Sequence, residues 1–272
     1  MSESEGALEQ QVVAIGIPAS DRVVTWWAMD FSRLMLYMQR HRPSVKILPL
    51  VAEGSLIPQQ RQNLVDAAMK HGATHMLWLD TDMRFPNTLL ARLLDRNLDI
   101  VGANYAERRA PFKPVAFRNW NDTDLRAYTH LDSTGVERIA AIGSGALLVK
   151  MSVYEKLDRP YYLVGYNPST GGYLGEDMYF SFKAGQDGFA IYVDHDVSHS
   201  VRHHGAMDYS NQDSIDFANA NPEMVKYTPT ETEVHKEKPV LLDRFGEPLQ
   251  GHEKLEMVSN AGPNPPEVNP NG

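Results

Sequence analysis

Three stretches of the chain carry side chains whose types and spacing can do chemistry. Asp80-Thr81-Asp82 sets two carboxylates two residues apart, directly after the apolar run Thr74–Leu79. On an extended backbone residues i and i+2 point the same way, so both acids can face one pocket. Two adjacent oxygen ligands suit a hard divalent cation, Mg2+ or Mn2+. Such a cation can bridge a nucleotide diphosphate and neutralise the charge on a diphosphate leaving group. Glu176-Asp177 is the second stretch, with Gly172 and Gly175 just before it. A carboxylate there can take a proton from an acceptor hydroxyl. The same two acids also suit a helix cap and first turn. The third stretch holds His195, His199, His203 and His204, four of the ten histidines in the chain. Neutral imidazole is a good ligand for Mn2+ and can complete a carboxylate site. His199 and His203, four apart, would share a face of a helix.

The elements that must position these groups are written in the apolar pattern. Val12–Ile17 reads as a buried strand ended by Pro18. Asp21 is placed to cap a helix whose Val23, Trp27, Phe31, Leu34 and Met38 recur at helical spacing. Val45–Val51 is a second strand. Ser55 then caps a helix with Leu64, Val65, Ala68 and Met69 as its buried stripe. Thr74–Leu79 is a third strand, Pro86 opens the next helix, and Asp99–Ala103 is a fourth strand. This alternation predicts an α/β fold with a mostly parallel, buried sheet flanked by helices. Ligands of such sheets bind beyond the carboxyl ends of the strands. Pro18 and Ala19 follow the first strand there, Glu53 the second, and Asp80–Asp82 the third. Arg61 and Asn63 lie on the helix before the third strand, where they can approach a diphosphate or sugar or simply face solvent.

Further on, Val136–Ile142 and Ala146–Val149 read as strands of a mixed extension to the sheet. Ser152–Leu157 is a short helix, Glu176-Asp177 open another, and Phe189–Val193 is a last strand. The expected organisation is a flexible leader over residues 1–10, one domain over 11–210, and a Pro-rich, largely extended or disordered tail over 211–272. Within that tail VLLDRFGEPL can be a docking segment.

Composition removes several function classes. The chain has no cysteine, so disulfides, thiolate zinc sites, iron–sulfur clusters and a Cys nucleophile are excluded. No GxxxxGK[ST] or GxSxG is present, and Gly143-Ser144-Gly145 lacks the third glycine of a dinucleotide fingerprint. A net charge of −9 disfavours duplex DNA as a partner, although AERRAPFKP is a local basic patch. The opening MSESEGALEQQ is acidic and polar, unlike a signal peptide. No run reaches the roughly 20 apolar residues that a membrane span needs. A cytoplasmic location is expected.

Taken in order, these segments resemble a GT-A glycosyltransferase of the family-2-like kind found in bacterial and phage genomes. The resemblance is carried by LIPQQRQNLVDAAMKHGATHMLWLDTDMRFP, DIVGANYAERRAPFKPVAF, AAIGSGALLVKMSVYEKL and GGYLGEDMYFSFKAGQDGFAIYVDHDVSHSVRHHG. It covers about residues 12–206. It implies transfer of a sugar from a nucleotide-diphosphate-sugar, UDP- or GDP-linked, to an acceptor hydroxyl. It implies that Asp80 and Asp82 hold Mn2+ or Mg2+ together with the donor, Asp82 more directly. His203 would complete that site, with His199 and His204 as alternatives. Asp177, beside Glu176, would be the base where the mechanism inverts. Pro18, Ala19 and Glu53 would cradle the nucleobase. Arg61, Asn63 and Thr81 would lie along the donor, although Gln62 separates the Arg and Asn that the family pattern places together. Tyr105, Arg108 and Arg109 would line the sugar or diphosphate. The acceptor would be a saccharide, a lipid-linked precursor, a protein or a modified nucleobase, with Trp120, Tyr128 and Tyr173 placed to stack on a sugar ring. The competing expectations are a metal-dependent hydrolase or nucleotidyltransferase, and a non-catalytic nucleotide-sugar-binding protein.

Overall fold

A computed structural model describes residues 10–120, 125–167, 172–206 and 208–225. The chain divides into two units, Met1–Pro239 and Val240–Gly272, and every described residue belongs to the first. The leader as far as residue 9, and the tail from 226 with its VLLDRFGEPL segment, lie outside the described residues.

The first half follows the apolar pattern closely. It runs β1 (Val12–Ala19), α1 (Thr25–His41), β2 (Lys46–Glu53), α2 (Ile57–Lys70), β3 (His75–Leu79), β4 (Met83–Arg84), α3 (Leu89–Asp95) and β5 (Ile100–Ala103). The second half adds β6 (Val136–Ile139), β7 (Ala146–Lys150), α4 (Met151–Lys156), β8 (Gly165–Asn167), β9 (Gly172–Leu174) and α5 (Glu176–Gln186). It closes with β10 (Ile191–Asp194), α6 (His195–Ser198), β11 (Arg202–His204), β12 (Asp208–Tyr209) and α7 (Asn211–Ala220).

Seven strands form the central sheet in the order β2-β1-β3-β7-β5-β10-β6. β1 pairs in parallel with both β2 and β3, and β10 pairs in parallel with β5. β7 runs antiparallel between β3 and β5, and β6 antiparallel at the edge beside β10. Five of the seven strands therefore point one way, and the sheet is mostly parallel. The expected extension is corrected in one respect. β7 is an interior strand, because its residues Ala146–Val149 are fully apolar and can be buried on both faces.

Alternation along β3 divides the core. Met76 and Trp78 face one layer with Leu64, Tyr154 and Phe180. Leu77 and Leu79 face the other, with Leu34, Met38, Leu89 and Leu90. In the first layer the Trp78 indole N–H donates to the Tyr154 hydroxyl at 2.9 Å, and Tyr154 and Tyr162 share a hydroxyl bond of 2.7 Å. These buried polar tips thus satisfy one another directly beneath Arg61, whose guanidinium lies 5.1 Å from the Trp78 ring centroid.

Several boundaries differ from the sequence reading. Neither Asp21 nor Ser55 caps a helix: α1 and α2 start after Val24 and Leu56, without a side-chain cap. Pro58 sits in the first turn of α2, where its missing N–H is harmless. The tail reading is corrected over its first ten residues. Ser210 and Asp213 form a capping box that starts α7. Ile215 and Ala218 then pack with Tyr128 and Val225. Among the described residues no helix is long and apolar enough to cross a membrane.

Candidate functional site

The carboxyl ends of β1, β2 and β3 meet at one edge of the sheet, and the polar residues collect there. Asp80 leaves β3 with its N–H donating to the Gly145 carbonyl at 3.1 Å, and Met83 N–H donates back to the Asp80 carbonyl at 3.2 Å. The chain thus turns through Asp80-Thr81-Asp82 into β4. There it joins a separate ribbon in the order β12-β11-β4. His203 on β11 stands opposite Met83, and His204 N–H donates to the Asp82 carbonyl at 2.7 Å. Arg84 ties this ribbon to α1, bonding Asp30 at 2.6 Å and Asp208 at 3.0 Å.

That ribbon brings one of the four histidines to the Asp-x-Asp turn. His203 Nε2 lies 3.3 Å from Asp82 Oδ2. Its Nδ1 lies 3.1 Å from the Ala106 carbonyl. A carbonyl only accepts, so Nδ1 donates to it, and Nε2 is the ring nitrogen that faces Asp82. The other three histidines are engaged elsewhere. His199 Nε2 bonds the Ser133 carbonyl at 2.9 Å, and His204 Nδ1 bonds Asp208 at 2.6 Å. His195 lies between Thr129 at 3.0 Å and Glu137 at 3.1 Å. The shared helical face expected of His199 and His203 does not exist, because α6 ends at Ser198 and residues 202–204 are a strand.

Arg61 joins the first two stretches. It is 2% exposed on the inner face of α2. One terminal nitrogen, Nη2, donates to both Asp80 oxygens at 2.9 and 3.2 Å, and Nε donates to Glu176 at 3.4 Å. The acids after β3 and those opening α5, 96 residues apart in sequence, are therefore held around one guanidinium. Its other terminal nitrogen, Nη1, is buried without a hydrogen-bond partner. Such a donor is costly to leave unmet and marks a place for an acceptor.

The carboxylates are tuned apart. Burial raises Asp80 above the ordinary carboxylate range, and Arg61 only partly offsets it. Burial pushes Asp82 the same way, but His203 and Arg108 outweigh it and hold Asp82 low. Arg108 Nη1 stands 2.9 Å from Asp82 Oδ2. Asp177 is pushed up to about 6, first by burial and then by Glu176, with Arg61 acting against the rise. Acids driven to different values in one cluster are suited to different roles.

The residues expected along the donor are distributed unevenly. Pro18 and Ala19 are buried at the end of β1, and Glu53 is exposed at the end of β2, opposite Ala19 in register. Thr81 is half-buried in the turn. Arg109 is exposed with no ion-pair partner among the described residues, in the loop that carries Arg108. Asn63 is not brought to the cluster. It is exposed on the outer side of α2 and accepts a hydrogen bond from Gln59 at 2.7 Å. Trp120 packs edge-on against Phe182 at 5.5 Å. Tyr128 is a packing residue under α7, and Tyr173 is exposed on β9.

Two features of the site escape a reading of motifs. Gln60 Nε2 donates to the carbonyls of Ala19 at 2.6 Å and Ala52 at 2.9 Å, closing the ends of β1 and β2 together. Its place one residue before Arg61 was the only sign in the sequence. Gly143-Ser144-Gly145 makes room for Tyr105. The Tyr105 hydroxyl accepts the Gly145 N–H at 2.9 Å, and its ring stands edge-on to His203 at 5.3 Å. A methyl on Gly145 would fall 2.6 Å from that hydroxyl and 3.0 Å from Met83 Sδ. Gly145→Ala should therefore lower stability by about 1–3 kcal/mol. Thermal denaturation of this variant, of Tyr105→Phe and of the double variant should show a double loss somewhat smaller than the sum, because Phe removes the nearest clashing atom, the phenol oxygen, and keeps the ring carbon at 2.9 Å.

The chemistry of the donor set fits a divalent cation as two ligands, Asp82 and His203. Asp80 is already held by Arg61, and among the described residues no group of three His, Asp or Glu side chains is placed to hold a metal.

No protein-family model matches the chain, and no curated protein sequence does. Among solved structures, the chain is similar to A197 from STIV at 16% identity and a TM-score of 0.46, over 71% of this chain and 85% of that one. It is similar to a glycosyltransferase involved in the glycosylation of the major capsid of PBCV-1 at 14% identity and a TM-score of 0.31, over 53% of this chain and 62% of that one. It is also similar to the inositol-1-phosphate CTP transferase from T. maritima at 10% identity and a TM-score of 0.36, over 68% and 88% of the two chains. The fold is read from the strand order above and not from these likenesses.

Proposed function

We propose that the chain is a GT-A-type glycosyltransferase that moves a sugar from a nucleotide-diphosphate-sugar to an acceptor hydroxyl. The observation that carries this reading is the single buried guanidinium of Arg61, which binds Asp80 of the Asp-x-Asp turn and Glu176 of the acidic pair. One cleft thereby holds cationic groups for a diphosphate and an acid suited to accept a proton.

The roles follow from position. The ends of β1 and β2, closed by Gln60, receive the nucleobase between Pro18, Ala19 and Glu53. Arg61 Nη1, Arg108 and Arg109 offer donors to the diphosphate. The acceptor oxygen attacks the anomeric carbon as the bond to the diphosphate oxygen breaks. Asp177 takes the acceptor proton, and the electron pair leaves with the nucleoside diphosphate. Asp82 and His203 would hold Mn2+ or Mg2+, which would supply positive charge to the leaving diphosphate. Arg108 must then give up its contact with Asp82.

The test is a panel of UDP-, GDP-, CMP- and dTDP-sugars, each with and without Mn2+, read by thermal shift and by release of nucleotide. One nucleotide should raise the midpoint by mass action, and Mn2+ should strengthen that shift. Asp82→Ala should abolish the Mn2+-dependent part and keep the fold, whereas Arg108→Ala should tighten Mn2+ binding. Full activity in Asp82→Ala would remove the cation assignment. Release of free sugar, with no transfer to any acceptor, would replace the transferase reading by hydrolysis.

A further inference from the structure

A cavity of about 550 Å3 opens at the β6 edge of the sheet, between that edge and the last turn of α5. Its size lies within the roughly 300–1,000 Å3 usual for small-molecule sites. None of the residues placed in the site above lines it. Its walls include Trp120, Phe182 and Phe189, together with Arg118 and Arg138.

We propose that this cavity binds an acidic saccharide. The aromatic walls offer apolar surface to the C–H faces of a sugar ring, with Phe182 43% exposed beside Trp120. Among the described residues that line the cavity the charged ones are Arg118 and Arg138, with no Asp or Glu. Arg138 is exposed and has no ion-pair partner among the described residues. Arg118 is held by Glu137 at 3.0 Å, and Lys156 lies 5.4 Å from the Phe189 ring centroid. A planar guanidinium and aromatic walls in one cavity match a sugar ring carrying one anionic group, which the guanidinium can bind bidentately. A wholly apolar ligand would desolvate Arg138 without compensation.

Gly185 adds an independent sign. It stands inside α5, where glycine costs about 1 kcal/mol relative to alanine. A methyl there would meet nothing within 4 Å, so no packing within the protein demands the glycine. It lines the cavity and keeps its floor open. Gly185 and Asp177 share α5 eight residues apart, about 12 Å along the helix axis. An acceptor glycan held in the cavity would therefore extend along the helix that carries the proposed base. That last role rests on the transferase reading; the binding itself does not.

The test is calorimetry on the full chain, without nucleotide, using trigalacturonate, glucose 6-phosphate and neutral maltotriose. At least one anionic probe should bind tenfold or more tightly than maltotriose, and which of the two does so identifies carboxylate or phosphate as the acid. Gly185→Leu fills open space on a helical backbone, so it should fold normally and weaken the anionic probe at least tenfold. Arg138→Gln should do the same, and both should leave the nucleotide-sugar thermal shift unchanged. Absence of binding by both anionic probes at millimolar concentration would overturn the proposal. So would binding that both variants leave intact, or displacement of the probe by UMP or GMP in the Asp82→Ala background. Absence of nucleotide-sugar binding and turnover in the unmodified chain, with saccharide binding present, would sink the transferase reading and leave this one standing.

Discussion

Asp177→Asn should lower the turnover rate by about 10²–10⁴-fold while leaving donor binding nearly unchanged, because the amide cannot accept a proton at the moment of attack. The wild-type pH profile gives a second reading of the same group. Burial pushes Asp177 up to about 6, and as the proposed base it would work only as the carboxylate. Activity should therefore rise with pH through about 6 and level off above it, and the residual activity of the Asn variant should lack that limb. Stability should move in the opposite sense. The folded-state value lies above the ordinary 3.8, so between about 4 and 6 the folded protein holds a proton that the unfolded chain has released. Stability then falls as pH rises through this window, and the deficit persists above it. The Asn variant escapes the deficit and should be more stable at pH 8 by roughly 1–3 kcal/mol. Denaturant titrations at pH 4 and pH 8 would show the gain at the higher pH only. An Asn variant that is both inactive and less stable at pH 8 would assign Asp177 a structural role instead.

Arg61→Met should be the most destabilising single change in the site, by about 3–5 kcal/mol at neutral pH. The side chain is 2% exposed and sits between Asp80 and Glu176, with the Trp78 and Tyr162 rings packed against it at 5.1 and 5.9 Å. Methionine restores much of the apolar volume and removes the charge, leaving the acids around it without a counter-ion. The penalty should therefore shrink as pH falls and the carboxyl groups protonate, which urea denaturation between pH 4 and pH 8 measures. Adding Asp80→Asn to Arg61→Met should recover part of the lost stability, since it removes one of the stranded charges. Arg61→Lys should fall between, because a single ammonium cannot serve both acids in the geometry of the planar fork. A pH-independent loss of the same size in Arg61→Met would mean that packing on Trp78, and not the ion pairs, carries the effect.

The sheet was legible in the chain because β1, β3 and β5 are continuous apolar runs and the helices between them keep a 3.6-residue stripe. Those are local signals, set by which side chains must leave water. Asp80-Thr81-Asp82 was legible for a related reason, since a polar turn after a buried strand must emerge at the ligand-binding edge. The place of β7 was not legible. An apolar run states that a strand is interior, yet only pairing with β3 and β5 states where. The contact of His203, and not His199 or His195, with Asp82 was likewise not legible from spacing, because it depends on β11 pairing with β4 across more than a hundred residues. Asn63 is turned away from the cluster because a two-residue step on a helix rotates a side chain by about 200°, from the buried face of Arg61 to the outside. The sequence by itself therefore determined the layers and the acids that collect at the carboxyl ends of the strands. Only the tertiary structure decided which cation each acid meets. Arg61 on Asp80 and Glu176, and Arg108 and His203 on Asp82, are encounters between distant segments, and their strength depends on burial that no local pattern encodes.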